Sequence, residues 1–362
     1  MLVRLTVISL VVLLTPALGR ESCASERMSA VAVFPVENLS GRRVPAAEVR
    51  QFLINRLADR GIRVLGTDEL DGFMARHRVR YAAGVDTTTA EKLRQETGVD
   101  GVLIASFELS SLAVPPKVAL MARLISIQGT PTVVWADDAG MAGDEAPGLL
   151  ELGIVNEYQT LLTRVLDRIG DSLVTHLDTG QARTEVKRAS KFRPRTFYRR
   201  LALEPGRTYT VAVLPFFDLS GRRGAGEVLA LLFMRHLSAF PRFRVIDAGA
   251  VREQLLEARV IMDGGISISD AETVATLIDA DFVLAGRALL YQDYEGGVGR
   301  ARVEFSTVLI ERSSRKVVWA SDSYNDGDEG FRFFERGISR TAHTMATQMV
   351  RLATEMIAGG DR

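Results

Sequence analysis

Apolar runs of four to seven residues, the length of buried strands, recur along the chain between stretches whose apolar residues are spaced three or four apart, as on one helix face. The first run, Ala30–Val36, leads into a polar turn. Val49, Phe52, Leu53 and Leu57 then mark a helix, and Ile62–Leu65 a short strand. Two further helices are predicted to start near Asp68 and near Thr88–Glu91, where a polar cap is followed by acids. Strands follow at Gly101–Leu109, Lys117–Ile127 and Thr132–Asp138. Leu150, Ile154, Leu161, Val165, Ile169, Leu173 and Leu177 predict a long amphipathic helix.

The same order then returns. A strand at Thr210–Phe216 precedes a helix carrying Val228, Leu232, Phe233 and Leu237, and Phe243–Ile246 is the short strand. Helix starts fall near Asp247 and Ser269–Glu272, and strands at Phe282–Tyr291, Gly299–Ile310 and Lys316–Ser321. Ile338, Ala342, Met345, Met349, Leu352 and Met356 step by four and three in alternation. That stripe suits packing on the helix's own sheet, or a seam for a partner helix.

The periods repeat because the sequence does. "VAVFPVENLSGRR" (Val31–Arg43) and "VAVLPFFDLSGRR" (Val211–Arg223) agree at nine of thirteen positions, 180 residues apart. Gly98–Leu109 matches Asp279–Leu290, with Asp100 against Asp281. Thr132–Asp138 matches Lys316–Asp322, which sets the two tryptophans, Trp135 and Trp319, against each other. The prediction is an α/β fold of two tandem homologous domains, residues 28–180 and 208–362. Each is a mixed β-sheet with flanking helices and a long C-terminal amphipathic helix. Residues 181–207 form a basic linker, in which 182–200 hold eight Lys or Arg and one acid, Glu185. It reads as a solvated connection or as a contact for an anionic membrane surface. Phe192, Phe197 and Tyr198 within it are equally suited to packing on a domain.

Residues 1–22 read as a signal peptide, with Arg4 before the apolar run Leu5–Leu14 and small residues at Ala17 and Gly19. The expected location is the periplasm. Cys23, the single cysteine, excludes an intrachain disulfide and is a candidate for lipidation, which would anchor the protein to the outer membrane. Arg20 and Glu21 stand where a lipoprotein signal carries apolar or small residues, so an incidental thiol is the other reading. Lys plus Arg and Asp plus Glu number 45 each, which gives no reason to expect a nucleic-acid partner.

The chemistry-bearing motifs are few. Ser220–Glu227, glycine-rich between a strand and a helix, can serve as a phosphate loop, but its spacing matches neither common nucleotide-binding fingerprint. As a turn it explains more: Asn38 or Asp218 and Ser40 or Ser220 bond local backbone, and the glycine permits positive φ. His77, His176, His236 and His343 are scattered without metal-ligand spacing, and no nucleophile elbow is present. The expectation is no catalytic residue, no metal and no cofactor. Ser323–His343 has no counterpart in the first copy. Its Phe331, Phe333 and Phe334 read as loop aromatics that cap the core or, with Arg332, Arg222 and Arg223, as the candidate partner-binding residues, clustered aromatics and arginines being types found in interface hot spots.

The phrases "VAVLPFFDLSGRR", "RFRVIDAGAVREQL", "DADFVLAGRALL" and "VVWASDSY" resemble the TolB-like N-terminal domain group. That group takes in the amino-terminal domain of the Tol–Pal translocation protein, penicillin-binding-protein activator lipoproteins and the curli secretion-channel lipoprotein. The resemblance implies a non-enzymatic cell-envelope protein, a scaffold or regulator that binds envelope proteins. The alternative it leaves is a subunit of a secretion or transport assembly related to curli-type lipoproteins, with a homo-oligomer open.

Overall fold

β1 (Ala30–Val33) is buried at all four positions and lies between two parallel neighbours, β3 (Arg63–Val64) and β4 (Gly101–Ser111). Asp100 pins its start, accepting from the backbone N–H of Ser29 at 2.8 Å and of Ala30 at 3.1 Å. β8 (Tyr209–Val213) lies in the same way between β10 (Phe243–Ile246) and β11 (Phe282–Gln292). There Asp281 accepts from the N–H of Thr210 at 2.8 Å. Each aspartate supplies a charge-assisted bond to a strand end that the ladder leaves unpaired.

The computed structural model describes residues 28–145, 153–181, 190–260, 266–295, 299–327 and 339–359. The remaining strands are β2 (Glu37–Asn38), β5 (Lys117–Ser126), β6 (Thr132–Ala142), β7 (Thr196–Arg199), β9 (Phe217–Asp218), β12 (Arg302–Glu311) and β13 (Lys316–Asp326). They form one mixed sheet in the order β3-β1-β4-β5-β6-β10-β8-β11-β12-β13-β7, with β2 beside β4 and β9 beside β11. The strands of the N-terminal half, 28–181, thus run in the same spatial order as those of the C-terminal half, 190–359. The sequence predicts a sheet in each half. The structure joins them through an antiparallel pair, Val133 opposite Val245 and Thr132 opposite Ile246.

Helices cover both faces, as strands buried on two sides require. In the N-terminal half α1 (Ala46–Ala58) and α4 (Tyr158–Thr179) share one apolar cluster with the sheet, built on Val49, Leu53, Leu161, Val165 and Trp135. α2 (Thr67–Arg76) and α3 (Thr87–Thr97) cover the opposite face through Leu70, Phe73, Ala90 and Leu93. In the C-terminal half α6 (Ala248–Glu257) and α7 (Ile268–Leu277) take one face. α5 (Ala225–Ser238) and α8 (Ala342–Ile357) take the other. That last cluster also holds Met121, Val133 and Ala136 of the N-terminal half, so one apolar core spans the junction. The starts predicted near Thr88–Glu91 and Ser269–Glu272 are capped two residues earlier, by Asp86, which accepts from the N–H of Thr89 at 2.7 Å, and by Ser267, which accepts from that of Asp270 at 3.0 Å.

One expectation changes, and two readings left open are decided. The long helix of the N-terminal half begins at Tyr158, so Ile154 precedes it, while Leu150 lies outside the described residues. Val155 donates instead to the carbonyl of Gly143 at 2.8 Å, which holds this stretch extended beside the end of β6. The basic linker carries β7, which pairs with β13 from Trp319 opposite Arg199 to Asp322 opposite Thr196. Phe192 is buried in the adjoining core, and Phe197 stacks on Trp319 with ring centroids 5.9 Å apart. Finally, Ala342, Met345, Met349, Leu352 and Met356 of α8 are all buried within the fold, so this stripe is not a free seam. Ile338 lies outside the described residues.

Candidate functional site

Both turns close by the same hydrogen bonds. Asn38 Oδ1 accepts from the backbone N–H of Ser40 at 3.1 Å and from its hydroxyl at 2.7 Å, and Ser40 Oγ accepts from the N–H of Arg42 at 3.2 Å. Asp218, Ser220 and Arg222 repeat this at 3.0, 2.6 and 3.1 Å. Gly41 and Gly221 have φ of +68° and +74°, a region that a side chain disfavours. The duplicated "SGR" therefore makes a local chain reversal, as the turn reading expects.

Its arginines do something the sequence does not announce: each reaches the other half. Arg42 pairs with Glu295 at 2.8 Å. Arg222 donates to the carbonyl oxygen of Glu108, and its guanidinium lies 4.6 Å from the centre of the Tyr291 ring. The turns meet over a cleft of about 520 Å³, lined by Ser40, Arg42, Lys117, Arg222, Tyr291 and Asp293 among others. Lys117 is fixed there by donation to the carbonyl of Tyr294 at 2.7 Å, with the Tyr294 ring centre 3.1 Å away.

Beneath the cleft runs a row of buried charges. Glu108 is the extra residue of a bulge between β4 and β5, which turns its carboxylate inward. It pairs with Nδ1 of His343 on α8, whose Nε2 lies 2.9 Å from Asp138 of β6. Burial works against a charge on His343, but Glu108 and Asp138 outweigh it and push the imidazole up to about 10. Asp138, also opposed by burial, is held well below the usual carboxylate range by Arg235 and His343. Arg235 of α5 reaches Asp137 at 2.7 Å and Asp138 at 2.9 Å. The adjacent His236, buried and beside that guanidinium, is driven well below its ordinary value and is neutral. Gly140 permits this packing, since a Cβ there would run into the His343 ring.

A second polar contact seals the other side of the junction. Asp247, fully buried at the start of α6, accepts from Arg123 at 3.1 Å, from the N–H of Val85 at 2.8 Å and from that of Gly249 at 2.9 Å. Arg123 also donates to the carbonyl of Ala83. Backbone approaches backbone here: a Cβ on Gly84 or on Gly249 would collide with the main chain across the junction. Glu253 of α6 accepts from the N–H of Thr87 at 3.0 Å and the hydroxyl of Thr88 at 2.9 Å.

Of the residues singled out in the sequence, Arg222 is half-buried in the cleft and Arg223 is exposed. Cys23, Phe331, Arg332, Phe333 and Phe334 lie outside the described residues. The structure brings His236 and His343 together in the row of charges, while His77 pairs with Glu96 at 2.5 Å on another face and His176 lies apart on α4. Among the described residues no group of three or more His, Cys, Asp or Glu is arranged to hold a metal ion, and no helix is long and apolar enough to cross a membrane.

No protein-family model matches the chain, and no curated protein matches it in sequence. Solved structures resemble parts of it. The PelC dodecamer from Paraburkholderia phytofirmans is 19% identical, with a TM-score of 0.32, over 45% of this chain and 94% of that one. Lipoprotein GNA1162 from Neisseria meningitidis is 22% identical, with a TM-score of 0.29, over 40% of this chain and 99% of that one. The LpoB C-terminal domain from Salmonella enterica is 20% identical, with a TM-score of 0.27, over 31% of this chain and 82% of that one.

Proposed function

We propose that this is an exported, non-enzymatic protein of the cell envelope that acts by binding other envelope proteins, and that its two halves arose by tandem duplication. One observation carries the reading. The residues written twice are consumed by the same structural bonds in both halves: Asn38 and Asp218 in the turns, Asp100 and Asp281 at the strand starts. What the copies share thus serves the fold, which leaves the surface for recognition. The sequence resemblance to envelope domains and the signal-like N-terminus point the same way. The secretion-assembly reading drew on the stripe of α8, and its burial removes that support.

Photo-crosslinking of the full-length protein in cells, followed by mass-spectrometric identification, tests the proposal. Crosslinks to envelope proteins, from probes placed at Arg223 and at Phe333, support it. Crosslinks confined to cytoplasmic proteins, or fractionation of the protein with the cytoplasm, refute it. Anchoring through Cys23 predicts incorporation of labelled palmitate that Cys23→Ser abolishes, and an unlabelled wild type rules it out.

A further inference from the structure

We propose that the cleft where the two turns meet binds a small zwitterion, an amino acid or the end of a short peptide. This is a ligand site in addition to the protein-binding role above. The cleft, about 520 Å³, has the volume of small-molecule sites. Its lining includes polar side chains that are incompletely bonded. Tyr291 is only 2% exposed, yet its hydroxyl has no hydrogen-bond partner. Arg222 Nη1 and Asp293 Oδ2, both buried, have none either. Buried polar atoms in folded proteins nearly always find partners, and three unmatched around one cavity mark a place built for something else.

The charges decide what that is. Arg42, Arg222 and Lys117 bring positive groups to the cleft, and Asp293 and Glu295 negative ones. A simple oxyanion would face the two carboxylates, and a simple cation would face the guanidinium groups. A molecule with both signs a few ångströms apart satisfies each. Its carboxylate is received by Arg222 Nη1 and Lys117 Nζ, its ammonium by Asp293 Oδ2, and Tyr291 can donate to it or accept from it.

These groups are held ready. Asp293 Oδ1 accepts from the N–H of Ala342 at 2.7 Å, at the start of α8, which leaves its second oxygen for a ligand. Arg222 is fixed by the Glu108 carbonyl and the Tyr291 ring, and Lys117 by the Tyr294 carbonyl. Preorganisation of this kind lowers the entropic cost of binding. Burial pushes the Asp293 carboxyl up, against the opposing pull of the Ala342 N–H, Arg222 and Lys117.

Calorimetry on the full chain tests the site with glycine, lysine, glutamate and dialanine, with N-acetylated and C-amidated dialanine, and with inorganic phosphate. Saturable binding of at least one zwitterion is expected, with a loss of tenfold or more when either end of dialanine is capped. Asp293→Asn, which keeps the acceptor for Ala342, and Tyr291→Phe should each weaken binding about tenfold without lowering the melting temperature. The proposal fails if no zwitterion binds, if phosphate binds as tightly as they do, or if Asp293→Asn leaves the affinity unchanged. Each of these results stands whether or not the crosslinking experiment identifies a protein partner.

Discussion

His343 and Asp138, 205 positions apart in the chain, meet at 2.9 Å between its two halves, and Glu108 takes the other nitrogen of the same imidazole. All three are buried, and since Asp138 also pairs with Arg235, Glu108 is the carboxylate that depends most on the proton His343 adds. Removing one partner of such a cluster leaves an uncompensated buried charge, at a cost of about 3–5 kcal/mol. His343→Gln should lose stability of that order in urea denaturation. The combined change His343→Gln/Glu108→Gln should lose less than the sum of the two single changes, because the charge stranded by the first is removed by the second.

The same residue sets a pH dependence. Unfolded histidine titrates near 6.5, whereas folded His343 holds its proton up to about 10. Below about 6.5 both states are protonated, and the full stabilisation is present. As the pH rises from there through about 10 the unfolded chain binds fewer protons than the folded one, so stability falls. Asp138, shifted down, contributes above its unfolded value near 3.8 and loses that contribution as the pH drops below it. Urea titrations from pH 6.5 to pH 10 should show a decline in the wild type that His343→Gln flattens.

His236, its near neighbour in the fold, works in the opposite sense. It is buried neutral, with its pKa well below 6.5 in the folded state. Below pH 6.5 the unfolded chain takes up a proton that the folded one does not, so acid destabilises. His176, lowered by burial, adds to this trend. Stability is therefore expected to peak near neutrality. His236→Gln should reduce the loss between pH 6.5 and pH 5 measured by thermal denaturation. An acid limb as steep as that of the wild type would mean that His236 does not remain neutral in the folded protein.

Asp247 and Arg123 allow a ranking. Asp247→Ala removes the acceptor for two backbone N–H groups and for the guanidinium, all buried. Arg123→Met removes the donors to Asp247 and to the Ala83 carbonyl, and leaves Asp247 its two backbone bonds. An unpaired buried polar group costs about 1–3 kcal/mol and more when charged, so the aspartate change should be the more damaging of the two. Denaturant midpoints of the two variants give the order directly.

The junction explains how far the sequence could be read. The succession of strands and helices along the chain, the turn bonds of Asn38 and Asp218 and the equivalence of Asp100 and Asp281 were legible because the chain states them twice. Most of the buried contacts between the halves were not, because they use positions where the copies differ. Glu108 stands where the second copy has Leu289, Asp137 where it has Ser321, and Asp247 where the first copy has Gly66. The strand registers likewise set Arg123 against Val308. A charge in one copy opposite an apolar or small residue in the other was the available signal. Spacing of residue types along one segment could not find it, since its members come from β4, β5, β6, α5, α6 and α8. β7 escaped notice for a related reason: a four-residue edge strand in a basic stretch has almost no apolar pattern to read.

That strand supports a last prediction. The two ends of a sheet carry unpaired backbone groups that invite pairing with another chain, unless they are short or covered. One end here is β3, only two residues long. The other would be β13, eleven residues long, were β7 not laid along Trp319–Asp322. Covering this edge with a short strand flanked by Arg193, Arg195 and Arg200 follows the logic by which natural sheets avoid edge-to-edge association. Tyr198→Pro combined with Arg200→Pro removes the two N–H groups that face β13, that of Arg200, which donates to the Val318 carbonyl at 2.8 Å, and that of Tyr198 two residues before it, and disrupts the pairing. The doubly substituted protein should stay folded by circular dichroism, because the core beneath α5 and α8 is untouched. It should also sediment as larger species at rising concentration, to a greater degree than the wild type. Unchanged sedimentation of a folded variant would show that β7 has no part in limiting association at this edge.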